Sequence, residues 1–178
     1  QDLDFLRLSY GIFRACLDFF IAYIGPADAS GRYNIMPSLA HEQSRLPPVP
    51  GAGGAWGKNS SYDLALLREH LMHTIRASEI LDVDQVERGE WRQVLLQLAP
   101  FPVSAEGWLE EWEGVSLWPS HRHLSPLYPI FPGEEIHQHS DAQRVRIGKE
   151  SVLRFLARRS EGYTGFSFGW MAACAARM

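Results

Sequence analysis

The sequence holds two cysteines in 178 residues, Cys16 and Cys174. Neither sits in a C-x-x-C pair, which excludes a disulfide framework and the commonest structural zinc sites. Both are expected as buried small apolar residues. Lysine is almost missing: of 17 basic residues only Lys58 and Lys149 are not arginine. With 21 acidic residues the net charge is −4, so no basic field draws the chain to nucleic acid or to an anionic membrane. No uninterrupted apolar run reaches membrane length, because Leu3–Ile24 carries Asp4, Arg7, Arg14 and Asp18. Period-two alternation over four or more residues is absent, which argues against strands, and no repeat recurs at a solenoid period. A start at Gln1 and an apolar, alanine-rich end over Trp170–Met178 without a stop signal read as cut ends. A fragment of a longer chain is expected.

What is present is a core-forming composition, 46% hydrophobic and 12% aromatic, with helical punctuation. Polar or small residues recur at Asp4, Arg7, Gly11, Arg14 and Asp18, which leaves an apolar face of Leu6, Phe13, Cys16, Leu17 and Phe20 up to a stop at Gly25-Pro26. A Pro- and Gly-rich loop from Ala27 to Asn59 is too long for a passive connection and too apolar for simple disorder. Ser60-Ser61-Tyr62-Asp63 then opens a second helix with an apolar stripe of Leu64, Leu67, Leu71, Ile75 and Ser78. A third starts at Asp84, with Glu87 three residues on, and ends before Pro100. A second turn-rich zone runs over Pro102–Gly133. A fourth helix spans Asp141–Arg159 with Gly148 weakening its middle, and a fifth begins near Thr164. The fold class is all-α: paired helices with long aromatic loops at one end, as in an α/α barrel or toroid. The whole chain, 1–178, reads as a single partial domain.

Chemistry concentrates in the loops. Glu42 is the one carboxylate of the stretch Asn34–Gln43, set among apolar and proline-fixed neighbours. Such surroundings raise a carboxyl's pKa, which a general acid at neutral pH requires; a solvated loop glutamate is the plain alternative. His121-Arg122-His123 offers a fixed cation beside two imidazoles, with Trp112, Trp118 and Tyr128 supplying flat faces for a sugar ring. Histidines that merely cap loops are the plain alternative here. The pairs His121/His123 and His137/His139 could also be zinc ligands, but no third ligand motif accompanies them, and no metal or cofactor is expected. Gly51–Asn59 has the look of a phosphate loop, yet Ala52 stands where glycine is needed and Asn59 follows Lys58 where Ser or Thr belongs, so it is rejected. Gly107-Trp108-Leu109-Glu110-Glu111-Trp112 sets two carboxylates between tryptophans, as a sugar subsite or as an exposed amphipathic turn.

Four of these stretches, in order, resemble glycoside hydrolase family 95, the inverting α-L-fucosidases. His121–Gly133 is similar to the family's HRHxSHLxGLFPG run, and Pro37–Gln43 to PSxSPEN. Gly107–Trp112 resembles GQLQEW, and Thr164–Trp170 resembles TGWSxxW. The resemblance implies an (α/α)6 barrel with no cofactor and a fucosylated oligosaccharide or glycan as the partner. It implies Glu42 as proton donor to the leaving oxygen, with Arg122 and His123 binding the sugar and His121, Trp112 and Glu111 around it. The base of inverting hydrolysis lies about 6.5–9.5 Å from the acid across a water. In the family it is an Asp of an FQIDGNFG-like stretch that falls beyond Met178, while paired asparagines fall before Gln1. The isolated chain is therefore expected to be inactive. Departures at Ala40, His41, Gln43, Pro126, Pro129 and Phe166 from the family pattern bring in a related L-galactoside as substrate. They also bring in a second reading, a carbohydrate-binding helical domain that kept the pocket without the chemistry.

Overall fold

In a computed structural model, residues 2–39, 57–115, 121–157 and 162–178 are described. They form an all-α structure of five helices: α1 Leu3–Ile24, α2 Ser61–Leu81, α3 Gln85–Gln97, α4 Ala142–Ala157 and α5 Gly165–Arg177. A 3-10 turn lies at Ser125–Leu127. Strand-like pairing among the described residues is limited to isolated bridges. No helix among them is long and apolar enough to cross a membrane. Contacts divide the chain into two compact units, Gln1–Ile35 with Leu66–Ala99, and Met36–Ala65 with Pro100–Met178.

In the first unit the α2 stripe behaves as its periodicity requires: Leu67, Leu71, Ile75 and Ser78 are all buried. Against it lies α1, where Leu17 and Ile24 are buried and the Phe13 carbonyl meets His70 Nε2 at 2.9 Å. Two expectations need correction. Cys16 is exposed rather than buried, because the buried stripe of α1 runs through Leu17 instead. Asp84 precedes α3 but does not cap it: its backbone is left-handed at φ 53°. Its carboxylate receives the Tyr10 hydroxyl at 2.6 Å and pairs with Arg14. Arg14 also reaches Glu87 at 3.1 Å. A tertiary ion pair has taken the side chain that a local cap would use.

The second unit is built on a core of Leu109, Leu124, Leu127, Ile130, Ile136, Val152, Phe155, Met171 and Cys174. Cys174 is buried as expected, and burial pushes its thiol up to about 12, so it packs as a small apolar group. Gly148 has a positive role within α4. A Cβ built there would stand 2.8 Å from Ile136 Cγ2 and 2.6 Å from Met178 Cε, so the glycine admits the close approach of the Ile136 segment. On helix propensity alone Gly148→Ala would stabilise by about 1 kcal/mol. We expect the opposite, a loss of about 2 kcal/mol from overpacking, read as a fall in the denaturant midpoint at unchanged m-value.

Candidate active site

The site-bearing loops all belong to the second unit. They are held by polar side chains that the chain has drawn out of water. Ser38, in the Pro37–Gln43 stretch, is 1% exposed, and every polar group it owns is in use. Its N–H donates to the Gly57 carbonyl at 2.8 Å, and its own carbonyl accepts from Gly57 N–H at 2.9 Å and from Trp112 Nε1 at 3.0 Å. Its hydroxyl donates to Asp63 Oδ2 at 2.6 Å and accepts from Ser60 N–H at 2.9 Å. The ends of the loop between Ser38 and Gly57 are thereby closed on each other by an antiparallel bridge. The indole of Trp112 covers that bridge so closely that a Cβ on Gly57 would fall 2.1 Å from its ring. Glycine is required at 57 by space alone.

Asp63 occupies the first turn of α2, where an acid is favoured by the helix dipole. Ser60 makes the expected cap, its hydroxyl accepting Asp63 N–H at 3.0 Å. The Asp63 carboxylate turns outward from that cap to take Ser38 Oγ and the Leu39 N–H, the latter at 3.1 Å. Burial raises its pKa first of all, and the bonds from Ser38, Leu39 and Ser60 pull against that rise.

Next to Asp63 lies Glu111, 0% exposed, with neither carboxyl oxygen hydrogen-bonded. Burial pushes its pKa up to about 8; the nearby Ser125 hydroxyl lowers it somewhat, and the Asp63 charge raises it further. At neutral pH Glu111 therefore carries a proton. Its backbone is fixed on both sides, its N–H on the Val115 carbonyl at 2.9 Å and its carbonyl on Ser61 N–H at 3.2 Å. Trp112 is buried as deeply, at 1% exposure. Sequence analysis set both residues among the sugar contacts; both side chains are buried in the structure.

The His121-Arg122-His123 run is presented differently. Arg122 is exposed, and His121 and His123 are half-buried. Their two rings lie 5.3 Å apart and tilted, and the His123 N–H donates to His121 Nδ1 at 3.2 Å. The run is tied down by Ser167, whose hydroxyl donates to the Arg122 carbonyl at 2.7 Å. Ser167 and Thr164 also form the capping box that starts α5. One motif thus begins a helix and anchors the cationic loop. Beside His123 stands Phe166, edge-on at 5.7 Å, and beyond it Trp170 at 5.5 Å. These two, with Tyr62, Tyr128, Phe131 and Pro132, line an open apolar cleft of about 570 Å³. Tyr62 and Tyr128 meet edge to face at 5.0 Å.

Glu42 and Trp118 lie outside the described residues. Trp108 is half-buried, with the Arg154 guanidinium 3.7 Å above its ring, so one aromatic face is already taken by a cation. No group of three His, Cys, Asp or Glu able to hold a metal occurs among the described residues. Sequence reasoning overlooked Ser38, Asp63, Gly57 and Ser167 as supports. All four were visible only as parts of motifs or caps whose second partner lies far along the chain.

A titration follows from Glu111. Its folded-state pKa is raised above the unfolded value, so stability is greatest while both states hold the proton and declines as pH rises from about 4.5 towards about 8. Glu111→Gln removes this loss. We expect the variant to gain in melting temperature relative to wild type between pH 5 and pH 8, and a constant difference across that range would contradict it. Gly57→Ala, by contrast, is expected to cost about 3 kcal/mol at any pH, since the Trp112 ring must leave the Ser38 carbonyl.

With this geometry in place, comparison with known proteins is specific. The model of the glycosyl hydrolase family 95 catalytic domain matches residues 1–178. Alpha-L-fucosidase 2 of Arabidopsis thaliana is 27% identical over 182 residues, covering 100% of this chain and 21% of that protein. The chain thus spans about a fifth of the length of this curated relative. The motif order, the cationic loop beside an aromatic cleft and the family match over the full length agree: the chain belongs to glycosyl hydrolase family 95.

Proposed function

We propose that the protein carrying this chain cleaves α-L-fucosidic bonds, or the related L-galactosidic bonds, by inverting acid/base hydrolysis within an (α/α)6 barrel. The substrate is a fucosylated oligosaccharide or glycan. The observation that carries the reading is the pinning of the His121-Arg122-His123 loop. Ser167 fixes its backbone at the Arg122 carbonyl, and the His123 ring stands beside Phe166, one wall of the cleft that Trp170, Tyr62 and Tyr128 complete. A deoxy sugar has an apolar face suited to such rings and hydroxyls suited to charged donors. Arg122, with five donors in a fixed fork, and His123 hold the sugar, and His121 orients His123 through its ring nitrogen.

Glu42 is assigned as the general acid that protonates the departing glycosidic oxygen. Its loop springs from the closed bridge at Ser38 and Gly57, a rigid base for a group that must meet one oxygen. The water that attacks from the opposite face needs a second carboxylate as base, supplied by a part of the protein outside these 178 residues. Glu111 and Trp112 are both buried, and Trp112 holds the Ser38 carbonyl, so they are assigned to support of the loop rather than to contact with the sugar.

Glu42→Gln in the intact protein tests the assignment. Turnover of a fucosylated glycan, whose leaving group needs protonation, is expected to fall by about 10²–10⁴-fold with the fold unchanged by circular dichroism. Near-normal turnover contradicts the acid role. Sugar binding by calorimetry in a wild-type protein that hydrolyses nothing supports the carbohydrate-binding domain instead.

A further inference from the structure

We propose that Asp63 is a positioning residue for the reaction: from the first turn of α2 it grips Ser38 and Leu39, and so sets the backbone from which the chain continues to Glu42 three residues on. The proposal rests on the acid role of Glu42 given above.

A capping residue needs only its own helix, and Ser60 already supplies that cap. The Asp63 carboxylate is spent elsewhere, on Ser38 Oγ at 2.6 Å and Leu39 N–H at 3.1 Å. Both partners belong to the stretch that leads to Glu42, at a sequence separation of 24 or 25 residues. A short bond from a hydroxyl to a carboxylate is among the stronger hydrogen bonds a protein makes. The arrangement needs the charge to reside on Asp63, since a protonated carboxyl would accept those two donors poorly. Glu111 favours that charge. Burial raises both neighbouring carboxyls, and Glu111, driven up to about 8, sets no second negative charge beside Asp63 at neutral pH. The Glu111 carboxyl oxygens are buried without a hydrogen-bond partner, which favours the neutral form of that acid beside Asp63. Trp112 closes the assembly by holding the Ser38 carbonyl.

Misplacing the acid slows the step that needs its proton, and slows far less the departure of a group that leaves without one. The test therefore uses the intact protein, with Asp63→Ala, Ser38→Ala, the double variant and Asp63→Asn. Each is assayed on a fucosylated glycan and on an aryl fucoside with an acidic phenol as leaving group. For Asp63→Ala we expect kcat on the glycan to fall by about tenfold or more with KM within about twofold, and kcat on the aryl fucoside to change by less than about threefold. Adding Ser38→Ala to Asp63→Ala should bring little further loss, because the two act in one chain of contacts. Asp63→Asn, which keeps one acceptor oxygen, should lie between wild type and Asp63→Ala, and it reports the effect should the alanine variant fail to fold. Equal losses on the two substrates, multiplying effects of the two substitutions, or unchanged kcat on the glycan would each overturn the proposal. Glu42→Gln is run alongside. If it is inactive on the glycan while the Asp63 series is flat, only the positioning role falls. If it turns over normally, the acid assignment falls and takes the positioning role with it.

Discussion

Polar groups taken out of water must be paired or neutralised, and the site-bearing unit of this protein is arranged around that requirement. Ser38, Asp63 and Glu111 lie together under the loops, two of them carboxyls. The structure satisfies Ser38 completely and binds Asp63 to Ser38 and Leu39. It leaves Glu111 holding its proton instead of a charge. Paired charges at this depth would cost several kcal/mol each; one proton removes the problem. The start of the loop after Ser38 is set by where these residues find their partners.

Two loops are fixed by this means, and each is fixed by an element it does not belong to. The loop after Ser38 is closed by Gly57, roofed by Trp112 and tied to α2. The cationic loop is tied to α5 through Ser167. Short helical caps thus serve twice, starting a helix and presenting a backbone. The aromatic cleft next to His123 draws its walls from α2, α5 and the turn around Tyr128–Pro132. A cleft walled from several elements asks for rigid loops rather than for regular structure in them.

The helices were legible because their signals are local. The stripe at Leu64, Leu67, Leu71, Ile75 and Ser78 and the stop at Gly25-Pro26 need no tertiary information, and they mark α1 and α2 to within a residue or two. Thr164-Gly165-Phe166-Ser167 opens α5 for the same reason. What stayed hidden depends on distant partners. Asp84 has the spacing of a cap, but Arg14 and Tyr10 recruit it. Gly148 reads as a weak point in a helix until Ile136 is seen against it. Glu110 and Glu111 look alike as neighbours in sequence, yet only Glu111 is fully buried, because bonds to Ser61 and Val115 turn that side chain inward. The candidate site was legible mainly through its resemblance to a family. Of the residues that the resemblance names, Arg122 is exposed and His123 half-buried, whereas Trp112 and Glu111 are buried.

On the proposed function this chain is the acid-bearing, sugar-holding part of an enzyme that hydrolyses with inversion. Proton NMR of the sugar released by the intact protein from an α-L-fucoside, recorded in the first minutes before mutarotation, tests that claim most directly. The account predicts β-L-fucose as the first product, converting slowly to the equilibrium mixture. The α-anomer as first product would mean a covalent intermediate, a second carboxylate close to Glu42 and a different mechanism.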